Sequence, residues 1–306
     1  MKKDKKVDFA FLIATKNRCQ ELLLTLESLA PYASNSAVRC VVFDDGSTDG
    51  TSQAIQDHFP AVELWRNEES RGYLYCRNQL LNHVDADFLI SLDDDAHFIS
   101  DRVLELIQQT FDTLPHAGVL AFRIFWSEQL PSSTDSSDET LPVNSFVGCG
   151  HVWRKTAWQL IPNYPEWFQF YGEEDWATLQ LYQQGFTVQY VPEILVHHRV
   201  DQSRRAQNKV EFIFRYRYSL RAGWYTFFLL YPLRQAIYFW LYSFVKQLQK
   251  IVVKSQYKVV KPLFLALFDL LAHLPKLIRN RKPVSAELFK EFRQVNGAKI
   301  YWNPEK

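Results

Sequence analysis

The run Asp87-Phe-Leu-Ile-Ser-Leu92 ends in three consecutive aspartates, Asp93, Asp94 and Asp95. An apolar run of this length reads as a buried strand. Adjacent carboxylates at its end repel one another and resist desolvation. Something cationic should offset that repulsion, and oxygen ligands suit a hard ion such as Mg²⁺ or Mn²⁺. A second apolar run, Val38 to Phe43, ends in Asp44-Asp45-Gly46-Ser47-Thr48-Asp49. Two strands that end in acidic loops suggest one shared site at the carboxyl edge of a sheet.

The pattern around these runs alternates. Val7 to Ala14 reads as a strand, and Leu22, Leu23, Leu26 and Leu29 have helical spacing, closed by Pro31. Helices are expected from about Asp49 or Thr51, over Tyr75 to Asn82 and over Asp101 to Phe111, with strands at Val62 to Trp65 and Val119 to Phe125. Such alternation predicts an α/β fold with a mostly parallel sheet flanked by helices on both faces. Residues 127 to 144 break the order. The polar stretch Ser132 to Asp138 reads as a surface loop, either a lid or a simple insertion. A helix over Asp175 to Gln184 and a strand over Phe186 to Val191, ended by Pro192, complete the pattern.

Charge divides the chain. Residues 1 to 198 carry 14 Lys/Arg against 28 Asp/Glu, and residues 199 to 306 carry 21 against 6. The rear part is also aromatic, with apolar blocks at Trp224 to Leu233, Ala236 to Val245 and Val259 to Leu274. None is a clean run of the roughly twenty apolar residues that a spanning helix needs. A basic, aromatic helical tail over residues 201–306 fits the surface of an anionic membrane, with packing on the catalytic part as the alternative. Long apolar blocks between the charges argue against nucleic acid. Four scattered cysteines and a basic start without an apolar leader read as a cytosolic or cytosol-facing protein.

Taken together, the motifs of residues 7 to 200 resemble family 2 glycosyltransferases of the GT-A fold. The matching pieces are Thr15-Lys16-Asn17-Arg18, Asp44-Asp45-Gly46-Ser47, Asn67 with Gly72, and Arg77-Asn78. They continue with Asp93-Asp94-Asp95, Gly148-Cys149-Gly150, Gly172-Glu173-Glu174-Asp175 and His197-His198. The resemblance implies a nucleotide-sugar site in residues 1–200. Asp45 would accept from the imide of uracil or thymine, with Asp44 orienting the loop and Thr15, Asn17 and Arg18 at the nucleotide. Asn67, Gly72, Arg77 and Gly150 would also serve the donor. Asp93-x-Asp95 would be the metal motif, with Asp95 as direct ligand, Asp93 on the metal or on ribose, Asp94 beside them, and His198 or its neighbour His197 completing the set.

The acidic motif implies a general base. Counting back from Gly185 puts Glu174 at that position, with Asp175 as contender; Trp176 stands where many relatives carry an acid. Trp153 and Trp158 are candidates for an acceptor groove or for the core. Arg204, Arg205, Arg215, Arg217 and Arg221 are candidates for phosphates of the donor or of a lipid-linked acceptor. The reaction implied is inverting transfer of a sugar, released from a UDP- or dTDP-type donor, to a hydroxyl of a glycan or lipid-linked acceptor. Two other readings compete. A sugar nucleotidyltransferase should carry a glycine-rich loop after the first strand, and Thr15 to Cys19 has no glycine. A silent membrane-bound binding module would not need the metal and base positions, and both are present.

Overall fold

A computed structural model describes residues 7–200, 207–297 and 299. The first half alternates as its apolar pattern requires: β1 (Val7–Thr15), α1 (Cys19–Leu29), β2 (Val38–Asp44), α2 (Thr51–His58), β3 (Glu63–Arg66), α3 (Tyr73–His83) and β4 (Ala86–Asp93). There follow β5 (Ala96–Phe98), α4 (Val103–Thr113), β6 (Ala117–Trp126), β7 (Leu141–Val143), β8 (Gly150–Arg154), α5 (Lys155–Trp158), α6 (Glu173–Gln183) and β9 (Thr187–His198). Five helices complete the described chain: α7 (Lys209–Leu230), α8 (Leu233–Val252), α9 (Val260–Ala272), α10 (Leu274–Asn280) and α11 (Ala286–Phe292).

Among the described residues nine strands form one sheet, ordered β3-β2-β1-β4-β8-β6-β9-β5, with β7 also on β9. The four strands from β3 to β4 run parallel. β1 and β4 are continuous apolar runs because helices cover both faces, leaving no side of the strand in water. Their register decides the site: Thr15 lies beside Asp44, and Ala14 beside Asp93, so three loops open at one edge.

Beyond β4 the sheet is mixed. β8 pairs antiparallel with both β4 and β6, while β6 and β9 run parallel. Strand β9 passes through Pro192 instead of stopping there. Phe122 pairs with Val191 and the next residue, Arg123, with Leu195, so residues 192–194 bulge out of the ladder. Proline lacks a donor, and a bulge asks for none. That bulge carries the strand on to His198. Residues 127–140 are irregular as expected, but the segment ends in β7, which pairs with Val188 to Tyr190.

The core lies between sheet and helices. Trp153 and Trp158 are both fully buried there, with ring centroids 5.1 Å apart, so neither lines a groove. The helical tail is not a loose appendage. Trp224, Tyr225, Leu229 and Leu230 of α7 are buried in the same core cluster. Arg217 of α7 donates to Asp269 of α9 through Nε (2.7 Å) and Nη2 (2.6 Å), with buried Arg221 at 3.6 Å. Asp269 is 5 % exposed, and removing it strands two guanidinium groups. Asp269→Ala should therefore lower unfolding free energy by about 3 kcal/mol in urea titration, the low end for a broken buried pair because Arg217 reaches solvent. An unchanged midpoint would show that α9 contributes little to holding α7.

Candidate active site

The cleft at the strand edge encloses about 920 Å³ and is lined from β1, β4, the loops after β2 and β3, α6, β9 and α7. Its floor is the aspartate triplet, and each carboxylate has a cationic partner. Arg77 Nη2 donates to Asp93 Oδ1 (2.8 Å), joined by the Tyr73 hydroxyl (3.1 Å). Arg18 spans the other two, through Nε to Asp94 Oδ1 (2.7 Å) and Nη2 to Asp95 Oδ2 (2.5 Å). His198 Nε2 lies 2.9 Å from Asp95 Oδ1. The Thr15 hydroxyl donates to Asp94 (2.8 Å). Even so, burial and the flanking carboxylates push Asp94 up to about 7, against the pull of Arg18 and Thr15. Taking the Asp94 carboxylate out of water outweighs what these neighbours return.

Ligand atoms of Asp93, Asp95 and His198 lie within 4.8 Å of one another. Two carboxylates and an imidazole are a donor set that suits Mn²⁺ and tolerates Mg²⁺, so these three residues could hold a divalent ion. His197 turns the other way: its Nε2 lies 2.7 Å from the Ser127 carbonyl, and its ring packs on His97. His97 itself faces Arg199 rather than the triplet. Arg199 in turn fixes the triplet's backbone, its N–H donating to the Asp95 carbonyl (2.8 Å).

Asp45 is the second acidic group of the cleft, and its orientation is fully specified. Oδ1 accepts from Asn67 Nδ2 (2.7 Å) and the Arg71 N–H (2.8 Å), and Oδ2 from the Ser70 hydroxyl (2.6 Å) and the Gly72 N–H (2.9 Å). Burial alone would raise its pKa; the four donors hold it below the usual carboxylate range.

Several expected residues stand behind the cleft instead of in it. Asp44 is wholly buried, accepting from the Ser47 N–H (2.8 Å), from Arg66 Nη1 (2.8 Å) and from the Ser52 hydroxyl. Asn17, at φ 53°, braces the same loop through the Thr48 N–H (2.7 Å). Asn67 acts through Asp45. Arg77 lies under Asp93 and also donates to the Gly148 carbonyl (2.6 Å). Gly150 faces the core, where an added Cβ would meet Ile124 and Val196 at 3.1 and 3.2 Å. Thr15, Arg18, Gly72, Asp93, Asp94, Asp95 and His198 do line the cleft.

The first turn of α6 brings further carboxylates to the cleft. Three acids there meet the positive helix end. Glu173 is 3 % exposed, with Oε2 lacking a partner, and Glu174 Oε1 accepts from the Gly148 N–H (3.1 Å). Both line the cleft. Burial and the neighbouring Glu173 push Glu174 well above the ordinary carboxylate range. Gly148 must be glycine for this: a Cβ would stand 2.8 Å from Glu174 Oε1. Asp175 is exposed and bonded to the Ser145 hydroxyl (2.8 Å), outside the cleft.

The approach to α6 is strained. Gln169, Tyr171 and Gly172 have φ of 66°, 65° and 86°, a conformation unfavourable for the first two. Helix α7 holds this loop. The Tyr218 hydroxyl donates to Gln169 Oε1 (2.7 Å), Arg215 Nη1 to the Tyr171 hydroxyl (2.9 Å), and Arg221 to the Phe168 carbonyl. Arg217 and Arg221 are thereby structural, which corrects the expectation that they meet phosphates; Arg215 alone of the three lines the cleft. Arg204 and Arg205 lie outside the described residues. Aromatic side chains that the motif pattern missed form this wall, among them Phe170, Tyr171, Phe212, Phe214, Tyr216 and Tyr218. Their signal in the sequence is the dense run Phe212-Ile-Phe-Arg-Tyr-Arg-Tyr218. The cleft thus draws on residues from both sides of position 200.

Titration calorimetry with Mn²⁺ tests the metal set. Asp95→Asn and His198→Ala should each weaken binding by at least about tenfold, the least expected for disturbing a metal shell. Equal heats for wild type and both variants would dismiss it.

The profile of the family described as "Glycosyl transferase family 2" matches residues 10–165. No curated protein matches the chain. Among solved structures, S. aureus TarS 1-349 in complex with UDP aligns at a TM-score of 0.52 and 18 % identity, over 71 % of this chain and 65 % of that one. A mannosyltransferase from Pyrobaculum calidifontis, PcManGT, in complex with GDP-Man and Mn²⁺, aligns at 0.54 and 16 %, over 95 % and 79 %. GalNAc-T7 with UDP, GalNAc and Mn²⁺ aligns at 0.51 and 15 %, over 63 % and 43 %. The chain spans less than two thirds of the TarS chains it matches. These superpositions show a shared α/β fold of GT-A type.

Proposed function

The chain belongs to glycosyl transferase family 2, and from that membership we propose that it moves a sugar from a UDP- or dTDP-type donor to a hydroxyl of a glycan or lipid-linked acceptor, inverting the anomeric carbon. One observation carries this reading: Glu174 lines the same cleft as Asp93, Asp95 and His198, whose ligand atoms converge. TarS binds UDP and UDP-GlcNAc, and PcManGT binds GDP-Man, which supports a nucleotide-sugar donor.

Asp45 presents a fixed, ionised carboxylate to the imide N–H of a uracil or thymine. Thr15, Arg18 and Gly72 flank the nucleotide, with Asn17, Asp44, Asn67 and Arg77 bracing them from behind. At the diphosphate end Asp93, Asp95 and His198 would hold Mg²⁺ or Mn²⁺, whose Lewis acidity neutralises the leaving group. Glu174 takes the proton of the acceptor hydroxyl as its oxygen bonds to the anomeric carbon and the bond to the diphosphate breaks. No covalent sugar–enzyme intermediate is required. Arg18 and Arg215 add positive charge beside the departing diphosphate. Residues 1–200 with α7 form the catalytic unit, and the remaining helices work peripherally at a cytosolic membrane face.

Incubated with a nucleotide-sugar panel and Mn²⁺, the protein should release UDP or dTDP. Glu174→Gln should lower kcat by about 10²- to 10⁴-fold while the donor still binds, and Asp175→Asn should have little effect. Release of pyrophosphate from a nucleoside triphosphate and a sugar 1-phosphate, supplied in a parallel incubation, would favour a nucleotidyltransferase, and no release in either incubation would leave a binding module. The pH profile supplies a second check. A base must be deprotonated, and the pKa of Glu174 is raised, so kcat/KM should fall as pH drops through a value above the ordinary carboxylate range. A limb at the usual glutamate pKa would point to another base.

A further inference from the structure

We infer that the outer faces of α8 and α9 form one docking surface for an anionic lipid bilayer. The inference rests on the peripheral reading above and assigns its face.

Helix α8 is apolar on two sides, and only one has a partner. Inward, Trp240 meets Trp224 edge-on at 6.3 Å, Ser243 accepts from the Trp224 indole N–H (3.0 Å), and Gln247 accepts from the Tyr216 hydroxyl (2.5 Å). Outward, Leu233, Ile237, Leu241, Val245, Leu248 and Val252 follow one another at helical spacing, each at least 40 % exposed. A helix facing water carries polar residues on that side. Helix α9 repeats the pattern with Phe264, Phe268 and Leu271, between 62 and 69 % exposed. No helix among the described residues is long and apolar enough to cross a membrane, so these faces fit a bilayer only by lying along it.

Charge selects the occupant. Between Glu211 and Glu287 the chain has one acidic residue, Asp269, and that one is buried against Arg217. Lys246, Lys250, Lys254, Lys258 and Lys261 follow one another along the end of α8 and the start of α9. Lysine stems can lie along apolar surface while their ammonium groups meet anionic headgroups, which Lys246, Lys254 and Lys261 would do here. A second copy of the chain would bring two strips of the same sign together. This basic strip also adjoins the cleft: Lys250 donates to the Tyr216 hydroxyl (2.9 Å), Lys258 Nζ stands 4.7 Å from the Phe212 ring, and both aromatics line the cleft. A docked molecule would hold its aromatic wall close to the headgroups, where a lipid-linked acceptor is presented.

Sedimentation of the full chain with vesicles of phosphatidylcholine, with and without phosphatidylglycerol, tests this. Wild type should partition onto the anionic vesicles, and added salt should release it. Lys246→Gln/Lys254→Gln/Lys261→Gln should weaken partitioning about a hundredfold, on the order of fivefold per charge. Leu241→Glu/Val245→Glu should abolish it. Both variants should melt with wild type and hydrolyse nucleotide-sugar in solution at the wild-type rate. Wild type that ignores anionic vesicles overturns the peripheral reading. Wild type that binds while both variants bind equally overturns the assigned face alone. A wild-type dimer that Leu241→Glu/Val245→Glu turns into a monomer would make the partner a second copy and overturn the proposal.

Discussion

Three aspartates at the mouth of one buried strand are unstable by themselves, and much of the site is the means of tolerating them. Arg77 reaches Asp93 from α3, Arg18 reaches Asp94 and Asp95 from the start of α1, and His198 reaches Asp95 from the far end of β9. Each cation sits on a different element. Charge neutralisation at the strand end therefore fixes where several elements meet, and the cleft is the space left between them. Asp93, Asp95 and His198 converge there closely enough to accommodate a divalent ion.

The acids of α6 work by the reverse logic. Glu173 is buried and stands close to Glu174, and desolvation with that neighbouring carboxylate raises the affinity of Glu174 for a proton. The loop that delivers them is held in an unfavourable backbone conformation by α7. Strain at a site persists only where surroundings over-determine it. Here the surroundings belong to the helical part of the chain, so the sheet domain alone would not set where Glu173 and Glu174 stand.

Legibility in the sequence followed burial. β1, β2 and β4 were plain because parallel strands covered on both faces are unbroken apolar runs. β8 was not, since Gly150-His-Val-Trp-Arg154 looks like a loop until β4 and β6 enclose it. Pro192 misled because a bulge removes its cost. Within the site, motif spacing marked the acidic residues that line the cleft, but it could not separate them from residues that brace it. Asp44 and Asp45 are adjacent and chemically alike; only one faces the cleft. Most of the aromatic wall escaped because Phe212, Phe214, Tyr216 and Tyr218 come from α7, remote in sequence from every motif, and composition there suggested a tail.

Gly172 and Ala222 show how tightly the two halves are joined. A single methyl on Gly172 would come within 2.7 Å of the Ala222 Cβ. At that seam neither position has room to grow without lifting the helix off the loop. Substitutions there would displace the first turn of α6 as well as lower stability, and drift at one position would constrain drift at the other. A contact with no polar atoms thus helps set where the buried carboxylates stand.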